Sequence, residues 1–213
     1  MKKILVLNAS PREERSHSRR LTDVFVEYYK HCEPDSSIKF RDLGKSNIPH
    51  VNEKWIAGAF KAEQDRTNEE IDALRFSTEL INELRDADVI VLGTPMYNWS
   101  VPSSLKAYID QVLRVNETWE VNKEDRQNPY IGLLKDKSLF LLFSRGAQGY
   151  EKGEYNEHMN FQSPYLRTVF NIIGVTDIEE VSIGGEAFDP ESFQNSVKES
   201  TVKIRELIQA HLS

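Results

Sequence analysis

Cysteine is nearly absent: Cys32 stands alone in 213 residues. No intrachain disulfide can form, no cysteine metal cluster can be built, and a reducing compartment is expected. No apolar run approaches the roughly 20 residues needed to cross a bilayer. The apolar stretch after Met1-Lys2-Lys3 ends by Asn8, too short for the apolar region of a signal peptide. The expected location is the cytoplasm, where the Asn-x-Ser/Thr triplets at Asn8, Asn98 and Asn116 have no glycosylation role. Basic residues are outnumbered 27 to 34, and the net charge of −7 repels phosphate backbones. Neither nucleic acid nor membrane is an expected partner. The five histidines show no metal-ligand spacing, so no metal is expected.

What is present is an ordinary globular balance. Hydrophobic residues make up 39% and charged residues 29%, which excludes wholesale disorder. There is no repeat, low-complexity tract or linker, so residues 1–213 read as one domain.

The chain opens on Ile4-Leu5-Val6-Leu7, a continuous apolar run that suits a strand buried on both faces. A turn cluster at Asn8–Pro11 ends it, and Ser16 or Ser18 can cap a helix over about 19–31 with Leu21, Val24, Phe25 and Tyr28 on one face. A more polar strand over 38–43 suits a sheet edge. Residues 44–66 give no clear pattern. Then follow a helix over about 68–85 (stripe Ile71, Leu74, Leu80, Ile81, Leu84), a strand over 88–93 and a helix over about 102–115. A long polar loop is expected over 116–135. A strand over 137–143, a helix over 163–173, a strand over 178–183 and a helix over 190–212 complete the chain. Alternation of this kind predicts an α/β fold: a doubly wound, five-stranded parallel sheet with helices on both faces.

In open α/β sheets the ligand sits beyond the carboxyl ends of the strands, where the strand order reverses. Three loops qualify. The first, Asn8 to Ser18, holds Ser10, Ser16 and Ser18 but no glycine. Both the dinucleotide fingerprint and the Walker loop are therefore missing. Hydroxyls, backbone N–H groups and a helix N-terminus remain, and these can hold a monophosphate without metal. The second loop, Pro95-Met96-Tyr97-Asn98-Trp99, sets flat and apolar groups beside an amide. It can cover a heterocycle and hydrogen-bond its edge. The third, Ser144-Arg145-Gly146, offers a donor-rich arginine and a glycine that permits close backbone approach. A flat heterocycle bearing one phosphate satisfies all three. FMN is such a ligand, and flavodoxin holds it at this kind of switch point.

The segment from Met96-Tyr97-Asn98-Trp99 through Pro102-Ser103-Ser104-Leu105-Lys106-Ala107-Tyr108-Ile109-Asp110 resembles the signature of FMN-dependent NADH azoreductases, also described as NADH:quinone oxidoreductases. Ser144-Arg145-Gly146 and Ser163-Pro164-Tyr165-Leu166 are similar to that family as well. The resemblance implies a flavodoxin-like fold, FMN as cofactor, NADH or NADPH as donor, a quinone or azo substrate, and a homodimer. By position it assigns Ser10, Ser16, His17 and Ser18 to the FMN phosphate. Pro95, Met96, Tyr97, Asn98 and Trp99 fall to the isoalloxazine, and Ser144 and Gly146 to its pyrimidine side. Trp119 matches an aromatic that covers the substrate from the neighbouring subunit. The chain departs from the pattern at His17, where relatives carry Gln, and at Ala147, where they carry glycine. They also have a histidine near Gly149, and the 116–132 loop here is longer. The same fold also serves electron carriers and flavin reductases that release reduced FMN. Either is the alternative to an enzyme with its own NAD(P)H and acceptor site.

Overall fold

The computed structural model describes all of residues 1–213. Five parallel strands form the central sheet: β1 (Lys3–Asn8), β2 (Ser37–Asp42), β3 (Val89–Pro95), β6 (Ser138–Ser144) and β7 (Asp177–Ile183), in the order β2-β1-β3-β6-β7. The chain moves from β1 outward to β2, then crosses back to place β3 on the other side of β1. That reversal opens a crevice above the carboxyl ends of β1 and β3.

The unbroken apolar strands follow from burial on both faces. Leu5, Leu7, Ile90, Leu92, Leu139 and Leu141 face one layer, and their neighbours Ile4, Val6, Val89, Val91, Phe140 and Leu142 face the other. Helices α3 (Asn68–Asp86), α4 (Ser103–Val112) and α5 (Ser163–Ile172) cover the first face; α1 (His17–Cys32) and α6 (Pro190–Leu212) cover the second. β2 is the polar edge expected, with Phe40 exposed.

The helix boundaries shift slightly. α1 starts two residues before the expected Arg19, because the Ser16 hydroxyl caps it by accepting from Arg19 N at 3.3 Å. Ser18 lies inside the helix instead. The buried line of α1 is Leu21, Phe25 and Tyr29; Tyr28 stands at its margin. Ile71 on α3 is exposed, because that end of the helix turns Glu70 and Leu74 toward α2 instead. α4 stops at Val112, three residues short of the expected end.

Two segments need correction or completion. The expected loop over 116–135 contains an antiparallel hairpin, β4 (Trp119–Val121) paired with β5 (Tyr130–Gly132). Within 44–66 lies α2 (Glu53–Ala59), capped by the Asn52 side chain, with Trp55 buried against Leu74 of α3. No helix is long and apolar enough to cross a membrane.

Candidate functional site

The serine loop is held from below by charge. Arg19 forks onto the Asp42 carboxylate at 2.8 and 2.6 Å, and the same guanidinium donates to the Ser10 carbonyl at 2.6 Å. Burial works to raise the Asp42 carboxyl, but the hydrogen bonds and charge of Arg19 outweigh it and hold the group below the usual carboxylate range. Two glycines let the loop sit so close. A Cβ on Gly44 would lie 2.0 Å from the Ser10 carbonyl oxygen. One on Gly93 would lie 2.5 Å from the Thr22 methyl and 2.9 Å from the Ser18 carbonyl, so glycine there allows α1 to start against β3. As a result Ser10, Ser16 and Ser18 are buried together around the first turn of α1, with the Ser16 and Ser18 hydroxyls 3.3 Å apart. The first N–H groups of a helix lack intrahelical partners, so this is an anion cradle.

The second loop is built from β3. Met96 N donates to the Ser144 carbonyl at 2.9 Å, which extends the sheet ladder one step beyond the strand. Tyr97 and Ser100 then exchange both backbone hydrogen bonds at 3.0 Å, closing a two-residue turn. Asn98 (φ 48°) and Trp99 (φ 63°) occupy its corners in the left-handed region. Asparagine tolerates that region; tryptophan does so at a cost of about 1–2 kcal/mol. The turn carries both side chains out of the crevice, and Trp99 is exposed.

The third loop leaves β6. Arg145 is buried, and its guanidinium does not offer the free donors expected of it. Nε donates to Gln162 Oε1 at 3.1 Å and the two terminal nitrogens reach Glu151 at 2.6 Å and Ser163 at 3.4 Å. The group also lies 4.9 Å from the Phe143 ring centre. A buried guanidinium needs such partners, so Arg145 fastens the loop and contributes only its near surface to the site. Gly146 is exposed, and the nearest atom to an added Cβ is 4.0 Å away, at Ala187.

These three loops enclose one cleft of about 180 Å³. Ser10, Ser16, His17, Ser18, Pro95, Met96, Tyr97, Ser144, Arg145 and Gly146 all line it. Asn98 and Trp99 do not, and Trp119 lies in the separate hairpin, edge-on to Tyr130 at 5.3 Å. Three lining residues escaped the sequence reading: Arg12, Arg15 and Glu186. The arginines were visible as two cations in the serine loop. Glu186 comes from the turn after β7 and meets His17 Nε2 at 3.0 Å, a contact no local pattern announces. A larger polar cleft of about 340 Å³ runs alongside under residues 147–155; Arg145 is the residue common to both.

Comparison with known proteins agrees with this fold. A family model described as the flavodoxin-like fold matches residues 2–208. The chain belongs to this flavodoxin-like family. An FMN-dependent NADH:quinone oxidoreductase of Nostoc punctiforme is 39% identical to this flavodoxin-like chain over 210 residues, covering 99% of it and 95% of the relative. The crystal structure of an azoreductase from Bacillus anthracis superposes with a TM-score of 0.87 at 28% identity, covering 98% of this chain and 99% of that one. An FMN-dependent NADH-azoreductase from Bacillus anthracis, solved in complex with FMN, gives 0.83 at 25% identity over 98% and 100% of the two chains.

Proposed function

We propose that this protein is an FMN-dependent oxidoreductase that uses NAD(P)H to reduce quinones and azo compounds. The observation that carries the reading is the cleft itself. One end is a cradle of three buried hydroxyls, a helix N-terminus and two arginines; the other is the Pro95–Tyr97 segment facing Gly146. Those two ends suit a phosphate and a flat ring respectively. The open space over Gly146 is the fit test on the ring side, since an added Cβ there would meet nothing closer than Ala187 at 4.0 Å. Bound FMN would supply the hydride chemistry, taking two electrons from NAD(P)H and delivering them to the acceptor.

The chain's own task is to bind, orient and shield. Ser10, Ser16, His17 and Ser18 hold the phosphate, with Arg12 and Arg15 adding charge. Pro95, Met96 and Tyr97 line the ring, and Ser144 and Gly146 present backbone to its polar edge. Asn98 and Trp99 stand at the open rim, where they meet whatever approaches the ring. One face serves both donor and acceptor, which favours departure of oxidised nicotinamide before the acceptor enters. No side chain need act as a nucleophile.

The homodimer and the role of Trp119 belong to the same reading. Trp99, Val121, Tyr130 and Phe161 are all more than half exposed or close to it, at 51, 53, 50 and 62%. Trp99 and Phe161, bonded to each other through the backbone, and Val121 and Tyr130 on the hairpin give a second copy apolar surface to cover, with Trp119 of one copy over the acceptor of the other.

The test is an absorbance spectrum of the purified protein, repeated without oxygen after NADH is added, followed by turnover with a soluble quinone. Flavin bands bleached by NADH, and steady NADH consumption with quinone, are expected. A flavin bleached only by a protein partner would make this an electron carrier instead. Loss of the flavin on gel filtration would favour a reductase that releases it.

A further inference from the structure

We propose that Arg114 is a positioning residue for the acceptor: its buried guanidinium fixes the Trp119 hairpin and through it the KM for quinone or azo compound. This rests on the reading that Trp119 covers the acceptor.

Arg114 follows α4 and is 2% exposed, among the largest fully buried side chains in the protein. One terminal nitrogen donates to the hydroxyls of Ser77 (3.1 Å) and Thr78 (3.0 Å) on α3, and the other to the Glu117 carboxylate at 2.5 Å. Its backbone serves the same segment. Arg114 N donates to Thr118 Oγ1 at 3.2 Å, and its carbonyl accepts from Glu117 N and Thr118 N at 3.1 and 3.0 Å. The two residues directly before Trp119 are therefore both bonded to Arg114. Asn116, at φ 62°, donates its N–H to the Trp119 carbonyl at 2.7 Å and turns the chain into β4.

Glu117 is the shared node. Arg85 of α3 also reaches it, at 2.6 Å. Burial acts to raise its carboxyl, but the two guanidiniums outweigh this and hold it below the usual carboxylate range. The opposite strand is clamped by shape: a Cβ on Gly132 would lie 2.1 Å from Gly174 N. Past these anchors the hairpin tip bonds only to itself, through Asn122, Asp125 and Asn128.

Packing alone does not call for this charge. A buried ion pair replaced by apolar groups of similar volume often costs nothing. What the pair adds is a single location for residues 117–119, and Trp119 stands at its end.

The test uses the FMN-loaded protein with NADH and a soluble quinone. Arg114→Met removes the charge, and Glu117→Gln, at a partly exposed site, keeps the fold if Arg114→Met does not. Trp119→Ala examines the underlying reading. We expect both anchor variants to raise quinone KM about tenfold, the loss of one hydrogen bond to a charged group. The rate of flavin reduction by NADH should stay within about twofold, because the ring cleft is untouched. Trypsin should cut faster after Lys123 and Arg126 in the tip. Unchanged quinone KM in Glu117→Gln, with KM raised in Trp119→Ala, would overturn the role of Arg114 alone. Unchanged KM in Trp119→Ala would overturn the Trp119 reading and the proposal with it. Equal falls in flavin reduction and quinone turnover, with lowered Tm, would show a purely structural role and overturn it too.

Discussion

Replacing Gly44 by alanine should dismantle the phosphate end of the cleft without altering any residue that lines it. The new Cβ would lie 2.0 Å from the Ser10 oxygen, 2.4 Å from its carbonyl carbon and 2.9 Å from Pro11 N. All three atoms are backbone, so no side chain can swing aside. Gly44 does not have a positive φ, so the conflict is steric and not one of backbone conformation. The Ser10 loop must retreat by about 1.4 Å to reach an ordinary contact. That retreat stretches the 2.6 Å bond from Arg19 to the Ser10 carbonyl. Overpacking costs about 1–3 kcal/mol, and loss of a charge-assisted hydrogen bond about 1.5–3 kcal/mol. A combined loss of about 3–5 kcal/mol corresponds to a Tm drop of roughly 6–20 °C at this chain length. FMN affinity should fall at least about tenfold as the Ser10 hydroxyl leaves the phosphate. Thermal melts of the apoprotein and fluorescence titration with FMN measure the two effects. A variant that melts within about 2 °C of the parent and binds FMN equally well would refute the argument.

Gly146→Ala is the complementary case. Its Cβ meets nothing closer than 4.0 Å, so the apoprotein Tm should not move, while FMN affinity should fall about tenfold if backbone approaches the ring there; unchanged affinity would remove Gly146 from the site. Glu186→Gln withdraws a carboxylate from a cleft that takes a dianion, and FMN should bind several-fold more tightly, roughly the worth of about 1 kcal/mol; weaker binding would assign Glu186 a direct contact instead. Trp99→Gly relieves a left-handed tryptophan, so Tm should hold or rise by the worth of about 1 kcal/mol while acceptor KM rises; an unmoved KM would place Trp99 outside the acceptor path. His211 lies between the Tyr29 and Phe140 rings with its Nε2 unpartnered. Burial, aided by the Lys2 charge and opposed by Asp177, depresses its pKa. The unfolded chain then takes up a proton that the folded chain refuses, so stability falls as pH drops through the ordinary histidine range near about 6.5. His211→Phe should lose less Tm than the parent between pH 7.5 and 5.5; equal losses would refute the linkage.

The elements with a strong local signal were legible, and the contacts between distant segments were not. β1, β3 and β6 announce themselves because burial on both faces demands unbroken apolar runs. The polar β2 signals its edge for the opposite reason. The 116–135 hairpin stayed hidden because its strands are three residues each, too short for a period of two to register, and eight polar-rich residues separate them. Arg114 falls near the end of the expected 102–115 helix, where nothing in the sequence marks it as buried. It is buried only because α3 and the hairpin close over it, bringing Ser77 and Glu117 from 37 and 3 residues away. Gly93 lies inside β3 with no turn signature, and the turn that holds Gly44 after β2 has no positive φ there to demand glycine. Their need for a bare Cα comes from Ser10, Ser18 and Thr22, which fold onto them from elsewhere.

The lining of the candidate cleft was more legible than the parts that hold it, because architecture selects loops before any residue is examined. Ten of the twelve residues expected at the cofactor line the cleft, and the two that do not, Asn98 and Trp99, are turned away by their own turn. Each loop is fastened without help from a ligand: the first by Arg19 and Asp42, the second by Met96 on Ser144, the third by Arg145 on Gln162 and Glu151. Such fastening leaves little ordering cost for binding. It also sets polarity. Arg145 is neutralised by Glu151, whereas Arg12 and Arg15 enter no ion pair. The uncommitted positive charge therefore stands at the serine end alone. On the reading proposed here, a molecule with an anionic tail and a flat head can lie in the cleft in one direction, with its head against Gly146.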